Sequence, residues 1–172
     1  MDQETDVADK HPCAVYAAVL DHLRGLGVDL EIHLHEPVRT IDEAHERVPH
    51  LTAGLLKTVV FRLDDGGWVL AAVTGPVRIH YRLLADALGV RRTALRAVGP
   101  EEVEAALGFQ VGGVGPFALG PAIRVVLDAP ILELERVLCG SGRNDRTLEL
   151  APGDLARAAG AIVHPIGRPT GG

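Results

Sequence analysis

The chain has 172 residues, enough for one domain with a self-sufficient core. Hydrophobic residues make up 47% and aromatic residues 3%, so the core is built from Leu, Val and Ala, and no aromatic platform is available to stack single-stranded bases. A formal net charge of -6 disfavours nonspecific binding of nucleic-acid phosphates by the chain as a whole.

The N-terminus, MDQETDVADK, is acidic and polar where a signal peptide is basic and then apolar, and no apolar run approaches a membrane span. Cys13 and Cys139 form neither a disulfide framework nor a metal-ligand spacing. The expectation is a reduced, cytoplasmic protein with no membrane association. Residues 1–11 and 167–172 read as tails around a domain spanning 12–166.

In HPCAVYAAVLDHLRGLG, Pro12 suits a first helical turn, Val15, Val19, Leu23 and Leu26 share one face, and Gly25 and Gly27 supply the stop. DLEIHLH alternates as a strand. Thr40 and Glu43 make a capping box for a short helix that ends before Pro49. GLLKTVVF is the next strand, joined to WVLAAVT by the hairpin signal Asp64-Asp-Gly-Gly67. IHYRLLADALG and GPEEVEAALG are helices, followed by a glycine-rich loop, GFQVGGVGPFALGP. AIRVVLD, RVLCG and TLEL are short strands, APGDLARAAG is a helix, and AIVHPI closes the chain as a strand. This order predicts a mixed α/β domain with a central hairpin and without the regular alternation of a doubly wound sheet.

Lys57 stands within an apolar strand. Leu55, Val59 and Phe61 share its face, and Lys10 is the only other lysine. A strand-end lysine that snorkels to water would look the same in sequence. Arg78, Arg82, Arg91, Arg92 and Arg96 make one segment locally basic, with Asp86 its only acid, which suits either a solvated face or a polyanion contact. His33 and His35 are spaced to face one way on a strand, but no third metal ligand follows at a recognisable interval, and ordinary surface histidines are the preferred reading. In CGSGRND the hydrolase elbow fails because Cys139 stands where glycine is needed, so Ser141 reads as a turn residue. Gly112-Gly-Val-Gly-Pro116 allows positive φ and close backbone approach, and its amides could form an anion nest, although a surface connector has the same composition.

Taken together, HEPVRTIDEA, LLKTVVF, LLADALG, GFQVGGVGPFAL, GSGRNDRTLEL and DLARAAGAIV resemble, in order, the YbaK/EbsC family of aminoacyl-tRNA deacylases, related to the prolyl-tRNA synthetase insertion domain. The resemblance spans about His11 to Ile166. It implies a mixed sheet curled into a partial barrel with flanking helices, and a free-standing editor that hydrolyses the ester of mischarged tRNA without cofactor or metal. The implied amino acid is small (Ala, Cys, Ser or Thr), on a noncognate tRNA such as tRNA-Pro, and a synthetase is an implied partner. The family's functional lysine falls on Lys57, its pocket wall on Thr40, and its substrate loop on Gly112, Gly113, Val114, Gly115 and Pro116. Arg78 and Arg82 stand where relatives are often lysine-rich, with Arg91 and Arg92 as further nucleic-acid contacts. His164 replaces an aspartate common in relatives, so it either lines the pocket or caps the last strand. A noncatalytic tRNA- or synthetase-binding module on the same fold is the competing implication.

Overall fold

The computed structural model describes residues 12–168. The expected tail at 1–11 and residues 169–172 of the other tail lie outside the described residues. The strands are β1 (Leu30–Leu34), β2 (Leu56–Leu63), β3 (Trp68–Thr74), β4 (Arg78–Ile79), β5 (Leu95–Ala97), β6 (Ile123–Asp128), β7 (Val137–Gly140), β8 (Arg146–Leu150), β9 (Ile162–His164) and β10 (Gly167–Arg168). The helices are α1 (Pro12–Gly25), α2 (Ile41–Arg47), α3 (Tyr81–Leu88), α4 (Pro100–Leu107) and α5 (Pro152–Ala159).

The β2–β3 hairpin organises the main sheet. At its turn the Gly66 amide donates to the Leu63 carbonyl at 2.9 Å and the Gly67 amide to Asp65 Oδ1 at 2.8 Å, with Gly66 at φ +93°, a conformation that favours glycine. The parallel strands β6 and β9 extend the sheet beyond β3 and the antiparallel β5 flanks β2, giving the order β5-β2-β3-β6-β9. Residues 69–73 and 125–127 are buried, as expected for central strands covered on both faces. One face, with Leu56, Val60, Leu70 and Leu127, packs with Val19 and Leu23 of α1 and Leu155 of α5. The other, with Phe61, Val69 and Val73, packs with Leu84, Ala85 and Leu88 of α3.

A second, antiparallel sheet has the order β1-β8-β7. It meets the first where Leu55 bridges Leu138. Helix α2 roofs a small separate core of Val38, Ala44, Val48, Leu51 and Leu138 at this junction. The class is mixed α/β, as expected.

Local differences from the sequence reading have physical causes. Leu26 lies beyond the end of α1 and is 41% exposed, because the chain turns at Gly27 with φ +71°. Ile79 belongs to β4, and α3 starts only after His80, whose Nδ1 accepts the Leu83 amide at 3.3 Å. Thr40 Oγ1 accepts the Glu43 amide at 3.0 Å, but Glu43 Oε2 reaches the amide of Arg39, at 2.9 Å, instead of the cap residue's own. Gly167 and Arg168, expected in the tail, pair with Ile79 and Arg78. Among the described residues no helix is long and apolar enough to cross a membrane.

Candidate active site

A cleft of about 780 Å³ opens at the junction of the two sheets. Its walls come from the segment around α2, the start of β2, the β3–β4 turn, the glycine loop and the β7–β8 connection. Three loops are tied together at its wall by Asn144. The Asn144 amide donates to Gln110 Oε1 at 2.9 Å, and Asn144 Nδ2 donates to the Val111 carbonyl at 3.0 Å. The Asn144 carbonyl accepts the Val38 amide at 2.8 Å. Asn144 is buried, so this hydrogen bonding offsets the cost of removing its amide from water.

The glycines of the loop are explained by packing. Gly112 has φ +87°, and a Cβ there would collide with the Val38 carbonyl and Arg39 Cα. A Cβ at Gly113 would lie 2.6 Å from the Arg143 carbonyl carbon, and one at Gly115 would meet the Gly140 carbonyl. The Gly113 amide is engaged by the Gln110 carbonyl at 2.7 Å. Hydrogen bonds of the Gly112 and Val114 amides are not found among the described residues. Gly112 and Val114 line the cleft, whereas Gly113, Gly115 and Pro116 are buried outside its lining.

Lys57 enters the cleft from β2, paired with Val73. Burial, and next the nearby Arg78 guanidinium, lower its pKa from the ordinary lysine value, since both oppose the charged form. Arg39, Arg78, Arg143 and Arg146 also line the cleft, against one carboxylate, Asp42. Arg143 is paired with Asp145 at 3.0 Å, and Arg146 lies over the Tyr16 ring at 5.0 Å. Thr40 lines the wall with its hydroxyl engaged in the helix cap.

The two strand histidines part company. His35 lies past the end of β1 and lines the cleft. Its Nδ1 donates to the Glu36 carbonyl at 2.7 Å, which in the neutral ring leaves Nε2 to accept the Thr147 hydroxyl at 2.8 Å. His33 lies outside the cleft lining, 3.0 Å from Glu149 Oε1 and 3.8 Å from Glu31 Oε2. Arg136 binds the other Glu149 oxygen at 3.2 Å, and the His33 hydrogen bond holds the Glu149 carboxyl below its ordinary pKa.

Among the described residues the cleft lining contains no serine or cysteine. Ser141 is buried and donates to the Arg146 carbonyl at 2.7 Å. Cys139 is buried, and desolvation pushes its thiol up to about 12, which removes the thiolate needed for attack. Neither residue therefore offers a serine or thiolate nucleophile to the cleft.

A model of the aminoacyl-tRNA editing domain matches residues 35–158, a span containing both the cleft walls and Lys57. The chain belongs to that family. This editing domain is 26% identical over 117 residues to the uncharacterized protein YwhH of Bacillus subtilis (strain 168), covering 68% of this chain and 73% of YwhH. It is 23% identical over 115 residues to the proline--tRNA ligase of Brachyspira hyodysenteriae, where the match covers 67% of this chain but 19% of the ligase. Among solved structures it superposes on the hypothetical protein APE2540 with a TM-score of 0.77 and 28% identity, over 87% of this chain and 99% of the other. A protein described as a proposed trans-editing enzyme for prolyl tRNA synthetase superposes with a TM-score of 0.67 and 26% identity, over 81% and 87%.

Of the residues singled out from sequence, Lys57, Thr40, Gly112, Val114 and Arg78 converge on the cleft of this editing domain. His164 is outside the lining, at the end of β9 opposite Asp128, with Nδ1 donating to the Pro165 carbonyl at 2.9 Å. Arg82 and Arg92 border a neighbouring pocket, and Arg91 precedes the short turn at Arg92–Ala94. Sequence reasoning missed Gln110 and Asn144 as the ties between loops. A signal was present for Asn144, since Asn and Asp inside a Gly-Ser-Gly-Arg-Asn-Asp run favour side-chain to backbone hydrogen bonds, but that its partner is the glycine loop was not legible.

Proposed function

We propose that this editing domain hydrolyses, in trans, the ester joining a small noncognate amino acid to the 3′ end of a tRNA. The observation that carries the reading is Lys57 in a cleft rich in arginine and, among the described residues, without serine or cysteine. A cleft of about 780 Å³ has the size of a small-ligand site and suits an aminoacyl group with its terminal nucleoside.

In this reaction water attacks the ester carbonyl and negative charge develops on the carbonyl oxygen. The Lys57 ammonium and the Gly112 and Val114 amides are the donors assigned to that oxygen, because fixed donors stabilise developing charge most effectively in a water-poor site. Arg78 and burial favour the neutral amine in the unliganded protein. Phosphates of bound RNA oppose both effects, so Lys57 is assigned the charged, positioning role. Thr40 is assigned to the wall that limits the amino acid to Ala, Ser, Cys or Thr. Arg78 and Arg82 are assigned to the RNA, with Arg91 and Arg92 as outer contacts, and His164 to support of the sheet edge. The similarity to a proline--tRNA ligase and to a proposed trans-editing enzyme for prolyl tRNA synthetase supports tRNA-Pro as one carrier and a synthetase as a functional partner. Cytoplasmic tRNA is the corresponding location.

The test is incubation with a panel of mischarged tRNAs, following ester loss against a no-protein control. The expected result is turnover of at least one small aminoacyl-tRNA. Binding without turnover across the panel would reject the enzyme reading in favour of a noncatalytic module.

A further inference from the structure

Beside the cleft lies a second pocket, of about 520 Å³, bordered by Arg78, Arg82, Arg92, Arg168, His80 and Tyr81. Arg78 lines both, so the two adjoin at this residue. No acidic residue borders the second one, and none of its four arginines has a carboxylate within ion-pair distance among the described residues.

Arg168 directly faces Arg78 in the β4–β10 ribbon. Like charges directly opposite one another destabilise a strand pair, yet the fold fixes this pair with dedicated contacts. Asp128 is buried, and its Oδ1 accepts the Ile166 amide at 2.9 Å and the Gly167 amide at 3.2 Å. The His80 amide donates to the Ile166 carbonyl at 2.7 Å. A Cβ at residue 167 would run into the Asp128 carboxylate. A C-terminal strand locked in this way holds Arg168 against its electrostatic preference, an arrangement that an anion between the two guanidinium groups would relieve.

We propose that this pocket binds an RNA backbone phosphate next to the scissile 3′ end, so that the C-terminal strand is part of the substrate-binding surface. This rests on the reading of the cleft as an aminoacyl-tRNA site. The chemistry favours backbone over base. The pocket's rings are already engaged: Tyr81 meets Arg92 at 5.3 Å and, edge to face, Phe61 at 5.2 Å, and His80 Nδ1 accepts the Leu83 amide at 3.3 Å, whereas four guanidinium groups surround the space. Guanidinium forks suit phosphate oxygens. Since Arg78 lines both pockets, the phosphate bound here belongs to the backbone close to the terminal adenosine.

The experiment compares full-length wild type with Arg168→Ala and Arg168→Glu. Affinity for uncharged tRNA is measured by fluorescence anisotropy from low to moderate salt, with inorganic phosphate as a competitor, and folding is checked by circular dichroism. The expected result is a loss of about tenfold in tRNA affinity for Arg168→Ala, a larger loss for Arg168→Glu, and a salt slope shallower by about 0.7–0.9 per phosphate contact removed. In deacylation assays KM for aminoacyl-tRNA rises while kcat is maintained, and an aminoacyl-adenosine ester, which lacks the phosphate, does not discriminate wild type from Arg168→Ala. Wild-type affinity and slope in both folded variants would overturn the proposal. So would inorganic phosphate at low millimolar concentration displacing nothing from tRNA while binding the pocket itself, which would mark a site for free phosphate. If wild type hydrolyses neither ester, the enzyme reading fails and the tRNA-binding arm still decides this one.

Discussion

Arg78 makes the Lys57 ammonium easier to deprotonate, adding to the effect of burial. Two cations share one cleft, and the fold brings them there from separate strands, β2 and β4. Arg78→Ala is expected to raise the Lys57 pKa part of the way back toward 10.5, since burial, the larger cause, remains. Side-chain NMR titration of the lysine measures this directly. The sign for stability follows from proton counting. Between the lowered folded pKa and the ordinary value the unfolded chain holds a proton that the folded chain has lost, so stability rises with pH across that window. Arg78→Ala narrows the window and flattens the rise. An unmoved Lys57 titration would show that the two groups do not interact.

Lys57→Ala removes the assigned donor to the ester oxygen. Loss of one such donor typically costs about 100- to 1,000-fold in kcat, and a fall of that size is expected in deacylation of a susceptible mischarged tRNA, with the circular dichroism spectrum unchanged. Lys57→Arg keeps the charge but alters reach and donor geometry, so it is expected to recover only part of the loss. Near wild-type turnover by Lys57→Ala would remove this residue from the mechanism.

Gly112→Ala tests the glycine loop through the backbone. The positive φ and the collision with Val38 and Arg39 are together expected to cost about 1–3 kcal/mol, read as a lower denaturant midpoint with an unchanged m-value. Gly112→Val adds bulk to the cleft wall and should also depress deacylation. A fully stable Gly112→Ala protein would mean that the loop relaxes easily and that its close approach is not required.

Asn144→Ala leaves the Val111 carbonyl without its side-chain donor. An expected destabilisation of about 1–3 kcal/mol should be accompanied by faster hydrogen exchange in residues 110–116, because this tie restrains the loop. Destabilisation without any change in exchange there would assign Asn144 to the core alone.

Cys139→Ala is expected to keep turnover within about twofold of wild type, since a buried thiol with a pKa pushed up to about 12 supplies no thiolate near neutral pH. Deacylation assays of the purified variant decide the point, and a loss comparable to that of Lys57→Ala would revive a thiol nucleophile.

The local signals in the sequence were strong wherever structure depends on near neighbours. Strand parity put Lys57 on the face of Val59 and Phe61, and these two do pack in the same core layer. Asp64-Asp-Gly-Gly67 made the hairpin, Thr40 made the cap, and the order of elements determined a mixed α/β class. The ordered motifs also identified the family, because their types and succession are properties of the chain itself. What depended on distant segments was not legible. Lys57 meets Arg78 only because β2 and β4 come to one cleft, and the cost of a Cβ at Gly112 exists only because the Val38–Arg39 backbone passes against it. His33 and His35, two residues apart, separate because β1 ends between them. Arg168 was assigned to a tail because a two-residue strand has no periodicity to detect, and its position is decided by a buried carboxylate 40 residues earlier in the chain, Asp128. Composition and spacing thus determined which residues could do chemistry, while tertiary packing decided which of them share a cleft and which lie outside it.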